Sequence, residues 1–100
     1  MKVIASGLNF GQALNVLKAG GLVAREGWNG KGMFLILVPG TVGITPHPKT
    51  PYAKAIPAGT KFDINPHIDM KTATGEMQPG WLASQTDMLA NDWTSLTPNT

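Results

Sequence analysis

Cysteine is absent from this 100-residue chain. Disulfides, thiolate zinc sites and cysteine nucleophiles are therefore excluded, and a reducing compartment is tolerated. Charge is scarce as well: Asp, Glu, Lys and Arg together make 14% of the residues, too little for a surface built to stay strictly monomeric. Arginine occurs once, as Arg25, whereas proteins that track a phosphate backbone carry dense Lys/Arg clusters. Long apolar runs are missing too. The longest, MFLILV at 33–38, has six residues, where a membrane span needs roughly 18–20. The opening MKVIASGLNF has one lysine and a short apolar patch broken by Gly7. A secretory signal needs a longer apolar region, so the chain is expected in the cytoplasm.

What is present is a moderately apolar sequence, 42% hydrophobic. That is too apolar for a disordered chain, and its length suits a single domain over 1–100. A chain this size buries only about 60–68% of its unfolded surface, so self-association would help it. Its charge is divided unevenly. Residues 1–62 hold seven basic groups and one acid, Glu26, for a net +6, while residues 63–100 hold one lysine and five acids, for a net −4. Two readings follow: the halves pack together and neutralise each other, or the basic half presents a surface to an anionic ligand.

LNFGQALNVLKAGG at 8–21 reads as a helix capped by Asn9, with Phe10, Ala13, Leu14 and Leu17 at helical spacing and Gly20-Gly21 as its stop. LVARE and MFLILV flank GWNGKG, and Asn29-Gly30 between strand-like runs is a strong hairpin signal. The second run is continuously apolar and predicts a central strand covered on both faces. Residues 39–61 read as a long proline-rich loop, since five prolines fall between 39 and 57 and leave no regular ladder of backbone bonds. A loop this long in a small domain usually binds, flaps or packs on a partner. TKFDI predicts a strand, and HIDMKTATGEMQPG predicts a hairpin turning at Ala73-Thr74-Gly75-Glu76. SQTDMLAND predicts a short helix with Ser84 and Asp87 in a capping-box arrangement. DWTSL predicts a last strand, and 95–100 a frayed tail. The expected fold is α+β: a small antiparallel sheet packed with one or two short helices.

No catalytic set emerges. His67-x-Asp69 places two metal-type ligands on one side of a strand, but a transition-metal site needs a third and fourth. Ser84 and Asp87 are explained as capping groups rather than members of a triad. Glu26 sits near a tryptophan, where it either orients a ligand hydroxyl or pairs with Arg25. GWNGKG opens no helix, so it lacks the amide cluster of a phosphate-binding loop. Binding chemistry is better represented. Trp28, Asn29 and Lys31 make a corner with an aromatic face, an amide and a cation. Glycine neighbours argue that Trp28 is exposed, and an exposed indole gives a base a flat partner. In PGWLASQTDMLANDW, Trp81 precedes a helix start carrying Gln85, Thr86 and Asp87, where backbone amides favour an anion. Trp93, between a helix and a strand, is expected in the core. No metal and no cofactor is expected.

VAREGWNGKGMFLILVPG and PHIDMKTATGEMQPGWLASQTDMLANDW together resemble the Thoeris anti-defence 2 family, small proteins of phages and prophages. The resemblance covers roughly residues 8–38 and 62–94; residues 39–61 carry little of it. It implies a non-enzymatic sponge that binds glyco-cyclic ADP-ribose without cleaving it and keeps the Thoeris effector off, in the cytoplasm of the infected bacterial host. It also implies a homotetramer with ligand pockets where chains meet, and in some relatives a separate site for cyclic di- or trinucleotides. By position in the motif, Trp28 and Trp81 look like the stacking platforms. Asn29, Gln85, Thr86 and Asp87 are then the polar candidates. Arg25 and Lys31 are the cations nearest a pyrophosphate, with Lys49 or Lys54 of another subunit as the alternative source of charge. Two other classes stay open: a phage module that binds a host protein through exposed tryptophans, and a binder of single-stranded nucleic acid.

Overall fold

A computed structural model describes residues 1–28 and 32–98. The strands are β1 (Val3–Leu8), β2 (Leu22–Arg25), β3 (Phe34–Val38), β4 (Thr41–Ile44), β5 (Phe62–Ile64), β6 (His67–Lys71), β7 (Met77–Gln78) and β8 (Trp93–Leu96). The α-helices are α1 (Phe10–Lys18) and α2 (Gln85–Leu89), with one 3₁₀ turn at Pro51–Lys54. Six strands form an antiparallel sheet in the order β1-β8-β2-β3-β6-β7, and β4 pairs with β5 as a separate ribbon. The class is α+β, as expected. Among the described residues no helix is long and apolar enough to cross a membrane.

Helix α1 forms because both its ends are chemically closed. The Asn9 side chain accepts from Gln12 N at 2.8 Å, and Gln12 Oε1 accepts from Asn9 N at 2.9 Å, a complete capping box. At the other end Gly20 takes φ +90°, where a side chain would be strained. Gly20 N donates to Leu17 O and Gly21 N to Val16 O, the Schellman closure. The helix lays Ala13 and Leu17, at 1% and 2% exposure, on one face of the sheet against Val23, Leu35 and Trp93, each at 0%.

Strand alternation decides which residues reach that core. In β3, Leu35 and Leu37 face it, and their β6 partners Met70 and Ile68 do the same. Phe34, Ile36 and Val38 point the other way and pair with Lys71, Asp69 and His67. They are half-buried, while Leu22, Thr94 and Asp69 on the same face of the sheet are buried, so the second face of β3 is partly covered as well. Helix α1 packs on β2, β3, β8 and α2.

Three expectations change. Residues 39–61 are not all loop: β-branched Thr41, Val42 and Ile44 lie between Pro39 and Pro46, and this proline-free stretch pairs with β5. Asp63 Oδ1 accepts from Gly43 N at 2.9 Å and ties the ribbon together. The tail begins later than residue 95. Ser95 and Leu96 belong to β8, Ser95 is buried, and Thr97 exchanges hydrogen bonds with Lys2. The connection from β2 to β3 runs over 26–33, longer than a two-residue turn, and Asn29-Gly30 lies outside the described residues. The sheet also gains β1, which the sequence pattern does not announce.

Because Trp93 is the largest wholly buried side chain, Trp93→Ala is expected to cost about 3–5 kcal/mol of stability. Val42→Ala, at a residue 83% exposed, should stay within about 0.5 kcal/mol. Urea unfolding of the two variants checks this, and equal losses would contradict the placement of the core.

Candidate functional site

The site is built on the end of β2. Arg25 pairs in register with Trp93 of β8, so its side chain leaves the strand on the core side, over the turn that follows α2. There its Nε donates to Asp92 Oδ1 at 2.8 Å and its Nη2 to Asp92 Oδ2 at 3.4 Å. Its Nη1 donates to Asp87 Oδ1 at 2.8 Å. The planar guanidinium suits this bridge, since its donors leave in fixed directions. The carboxylates of Asp92 and Asp87 hold Arg25 above its ordinary value.

Both acids are held ionised in turn. Burial pushes Asp87 upward, but hydrogen bonds from Arg25, Ser84 and Trp28 outweigh it and leave Asp87 below the usual carboxylate range. Asp92 is also lowered, first by the Arg25 fork and against a smaller effect of burial. Asp87 has a second duty as well. Ser84 Oγ donates to its Oδ2 at 2.8 Å, and Asp87 N donates back to Ser84 Oγ at 3.1 Å. The expected capping box is therefore present. An anion at this helix start is not favoured by the geometry. The helix has five residues, too few for an appreciable dipole, and Asp87 puts a negative charge at that end.

The chain leaves β2 pinned to the same aspartate. Glu26 N donates to Asp92 O, and Gly27 N donates to Asp92 Oδ2 at 2.9 Å. Glu26 is exposed; the acids that pair with Arg25 are Asp87 and Asp92. The chain passes close to the ion bridge at Gly27, where a Cβ would lie 2.9 Å from Asp92 Oδ2 and 3.2 Å from Arg25 Nη2 and would press on both side chains. Trp28 follows. Its ring meets Trp93 edge-on, with centroids 5.4 Å apart at 80°, and its Nε1 points at Asp87 Oδ1 at 3.4 Å. Trp81 meets the same indole edge-on at 6.2 Å and 83°, and Phe10 completes the cluster. The Trp93 N–H donates to Asp87 O at 3.0 Å. Each such aromatic contact is worth about 0.5–1.5 kcal/mol beyond the area it buries.

Trp28 is thus not held out by its loop. It is half-buried, as is Trp81, and both keep surface while leaning on a buried third indole. Gln85 and Thr86 are exposed at the start of α2. Asn29 and Lys31 lie outside the described residues. Of the sequence-derived set, the structure joins Arg25, Trp28 and Asp87 directly and brings Trp81 to the same cluster through Trp93. Residues the sequence reading passed over are Asp92, Gly27 and Phe10. Asp92 lies 67 residues from Arg25, a separation at which no local pattern signals a contact.

Arg25 is the one lysine or arginine with an ion pair among the described residues. This bridge joins the basic half of the chain to the acidic half, while Lys2, Lys18, Lys49, Lys54 and Lys61 stay exposed. His67 and Asp69 do share a strand face, with Nε2 and Oδ1 3.6 Å apart. Among the described residues no three potential ligands gather around a metal position.

The lowered aspartates set a pH dependence. Their contribution to stability is complete above the ordinary aspartate value, about 3.9, and is lost as the pH falls below it through the lowered folded values. Urea midpoints should therefore drop as the pH falls through and below the ordinary aspartate value. Asp92→Asn should lose about 1–3 kcal/mol at neutral pH and show a flatter acid profile. Parallel profiles for the two proteins would contradict the assignment.

Comparison with known proteins accords with these features. A family model described as the Thoeris anti-defense 2-like domain matches residues 8–96, which spans every strand after β1, both helices and all three tryptophans. A protein of Bacillus phage SP01 named Thoeris anti-defense 2 is 42% identical over 93 residues, covering 86% of this chain and 91% of the relative. The chain belongs to the Thoeris anti-defense 2-like family.

Proposed function

We propose that this chain sequesters a cyclic nucleotide immune signal, glyco-cyclic ADP-ribose, without cleaving it, and so keeps the Thoeris effector inactive. Family membership supports the anti-defence role. The observation that carries the ligand class is the aromatic arrangement: two half-exposed indoles, Trp28 and Trp81, fixed edge-on to the buried Trp93. An indole held in this way offers a purine a flat face with little ordering cost on binding. Exposed Gln85 and Thr86 supply amide and hydroxyl groups for ribose or a base edge.

Trapping rather than turnover suits the chemistry beside these rings. Ser84 and Asp87 are occupied with each other and with the helix end, and the cation between the two aspartates is already paired. A sponge must outcompete the effector, which asks for a nanomolar Kd, about −12 kcal/mol. Such affinity requires most of the ligand surface to be covered. In this reading the site is completed by a second copy in a homo-oligomer, a tetramer. Leu82 and Leu89, 90% and 77% exposed, provide apolar surface for that contact. Charge for the pyrophosphate is then assigned to Lys31, or to Lys49 and Lys54 of a neighbouring copy. Cyclic di- and trinucleotides form the second ligand class of the proposal, and its place of action is the cytoplasm of the infected host.

The same two exposed leucines favour a second reading, docking of a host protein beside Trp81. One experiment separates the two. The pure protein is incubated with glyco-cyclic ADP-ribose, freed of unbound ligand, heated, and the supernatant analysed. Intact ligand supports sequestration, fragments indicate an enzyme, and no uptake favours the protein partner. Trp28→Ala is expected to lose about 1–3 kcal/mol of affinity, roughly fivefold to 150-fold, with the size of the assembly unchanged. Calorimetry checks it, and an unaltered Kd would contradict the stacking role.

A further inference from the structure

The sequence casts Arg25 as a cation for the ligand's pyrophosphate. We infer instead that Arg25 is a positioning residue: it sets the Trp28 indole through Asp87 and does not touch the ligand. This inference rests on the sequestration reading for its effect on binding, but its geometry is a property of the chain alone.

Four observations carry it. The guanidinium is committed, with Nε, Nη1 and Nη2 all donating to carboxylates. Its side chain is 14% exposed and its two partners 13% and 30%, so the group is largely closed to a ligand. The cluster of one cation and two anions carries net negative charge, which disfavours a pyrophosphate beside Arg25. Finally, the contacts run in series from Arg25 to the indole. Arg25 fixes Asp87 Oδ1, the atom that faces Trp28 Nε1, and it fixes Asp92, whose Oδ2 receives Gly27 N immediately before Trp28.

Three pieces of chain meet at this guanidinium: the end of β2, helix α2 and the turn before β8. Without it, two carboxylates face each other across a partly desolvated gap and repel. Asp87 would then move away from the indole, and Asp92 away from the amide of Gly27. A lysine cannot replace the bridge, because an ammonium is a single point charge and does not span two carboxylates in fixed directions. Gly27→Ala strikes the same device from the other side. It keeps every charge but inserts a methyl group between Asp92 Oδ2 and Arg25 Nη2.

The test combines indole N–H spectra of ¹⁵N-labelled full-length protein with calorimetry using glyco-cyclic ADP-ribose as the probe. Trp28→Phe assigns the Trp28 resonance. Arg25→Gln is expected to shift and broaden that resonance while leaving Trp93, which donates to a backbone carbonyl, near its place. The Kd should weaken by about tenfold or more, the size of effect seen when an outer partner of a binding group is lost. Arg25→Lys should reproduce most of both changes, and Gly27→Ala should give them in smaller measure. If Arg25→Gln does not fold, Gly27→Ala carries the same two readouts. Weakened binding with an unmoved Trp28 resonance would make Arg25 a direct contact and overturn the inference. So would a displaced indole with unchanged affinity. Wild-type protein that takes up no probe would overturn the sequestration reading, leaving the resonance shift alone to decide whether Arg25 positions Trp28.

Discussion

The indole of Trp93 is the point on which this chain's separate segments converge. It is wholly buried, its N–H is satisfied by Asp87 O, and Phe10, Trp28 and Trp81 lie against it. Those rings come from α1, from the β2–β3 connection and from the approach to α2. A buried indole must both fill its volume and satisfy its donor. Here the donor fixes the end of α2 and the ring fixes the surroundings. The Arg25 bridge then joins the same helix to the end of β2. The core and the candidate site are therefore one structure.

That economy has a consequence for how the chain can bind. A small domain with few charges has little surface to spare for a preformed cavity. It leaves two indole rings partly bare and held against a third, with exposed leucines nearby. Such a surface is poor at holding a ligand alone and well suited to closing on one from two sides. The proposed trap follows from this: rigidity comes from Trp93 and the ion bridge, while enclosure comes from another copy.

The sequence announced those features that depend on neighbours along the chain. Asn9 with Gln12 and Ser84 with Asp87 form the capping boxes that their spacing implied. The apolar run after Gly32 became a strand inside the sheet, and Gly20-Gly21 ended α1 as its chemistry required. Strand β1 went unread because Ser6 and Gly7 interrupt its alternation, and because Val3 and Ile4 are exposed; pairing with β8 supplies what local pattern lacks. Prolines hid β4, whose own stretch contains none. The site was legible in its tryptophans but not in its wiring. Glycines around Trp28 implied an exposed ring, yet Trp93 lies far along the chain and pulls that ring half inside. Arg25 looked available because its partners are remote in sequence.

The central claim is that a purine ring stacks on the half-exposed indoles where copies of the chain meet. A crystal structure of the protein grown with glyco-cyclic ADP-ribose tests it most directly. The account predicts an unbroken ligand at a boundary between chains, its adenine against Trp28 or Trp81, with Arg25 still bridging Asp87 and Asp92. Ligand bound away from both indoles, or indoles covered by protein with no ligand between them, would contradict it.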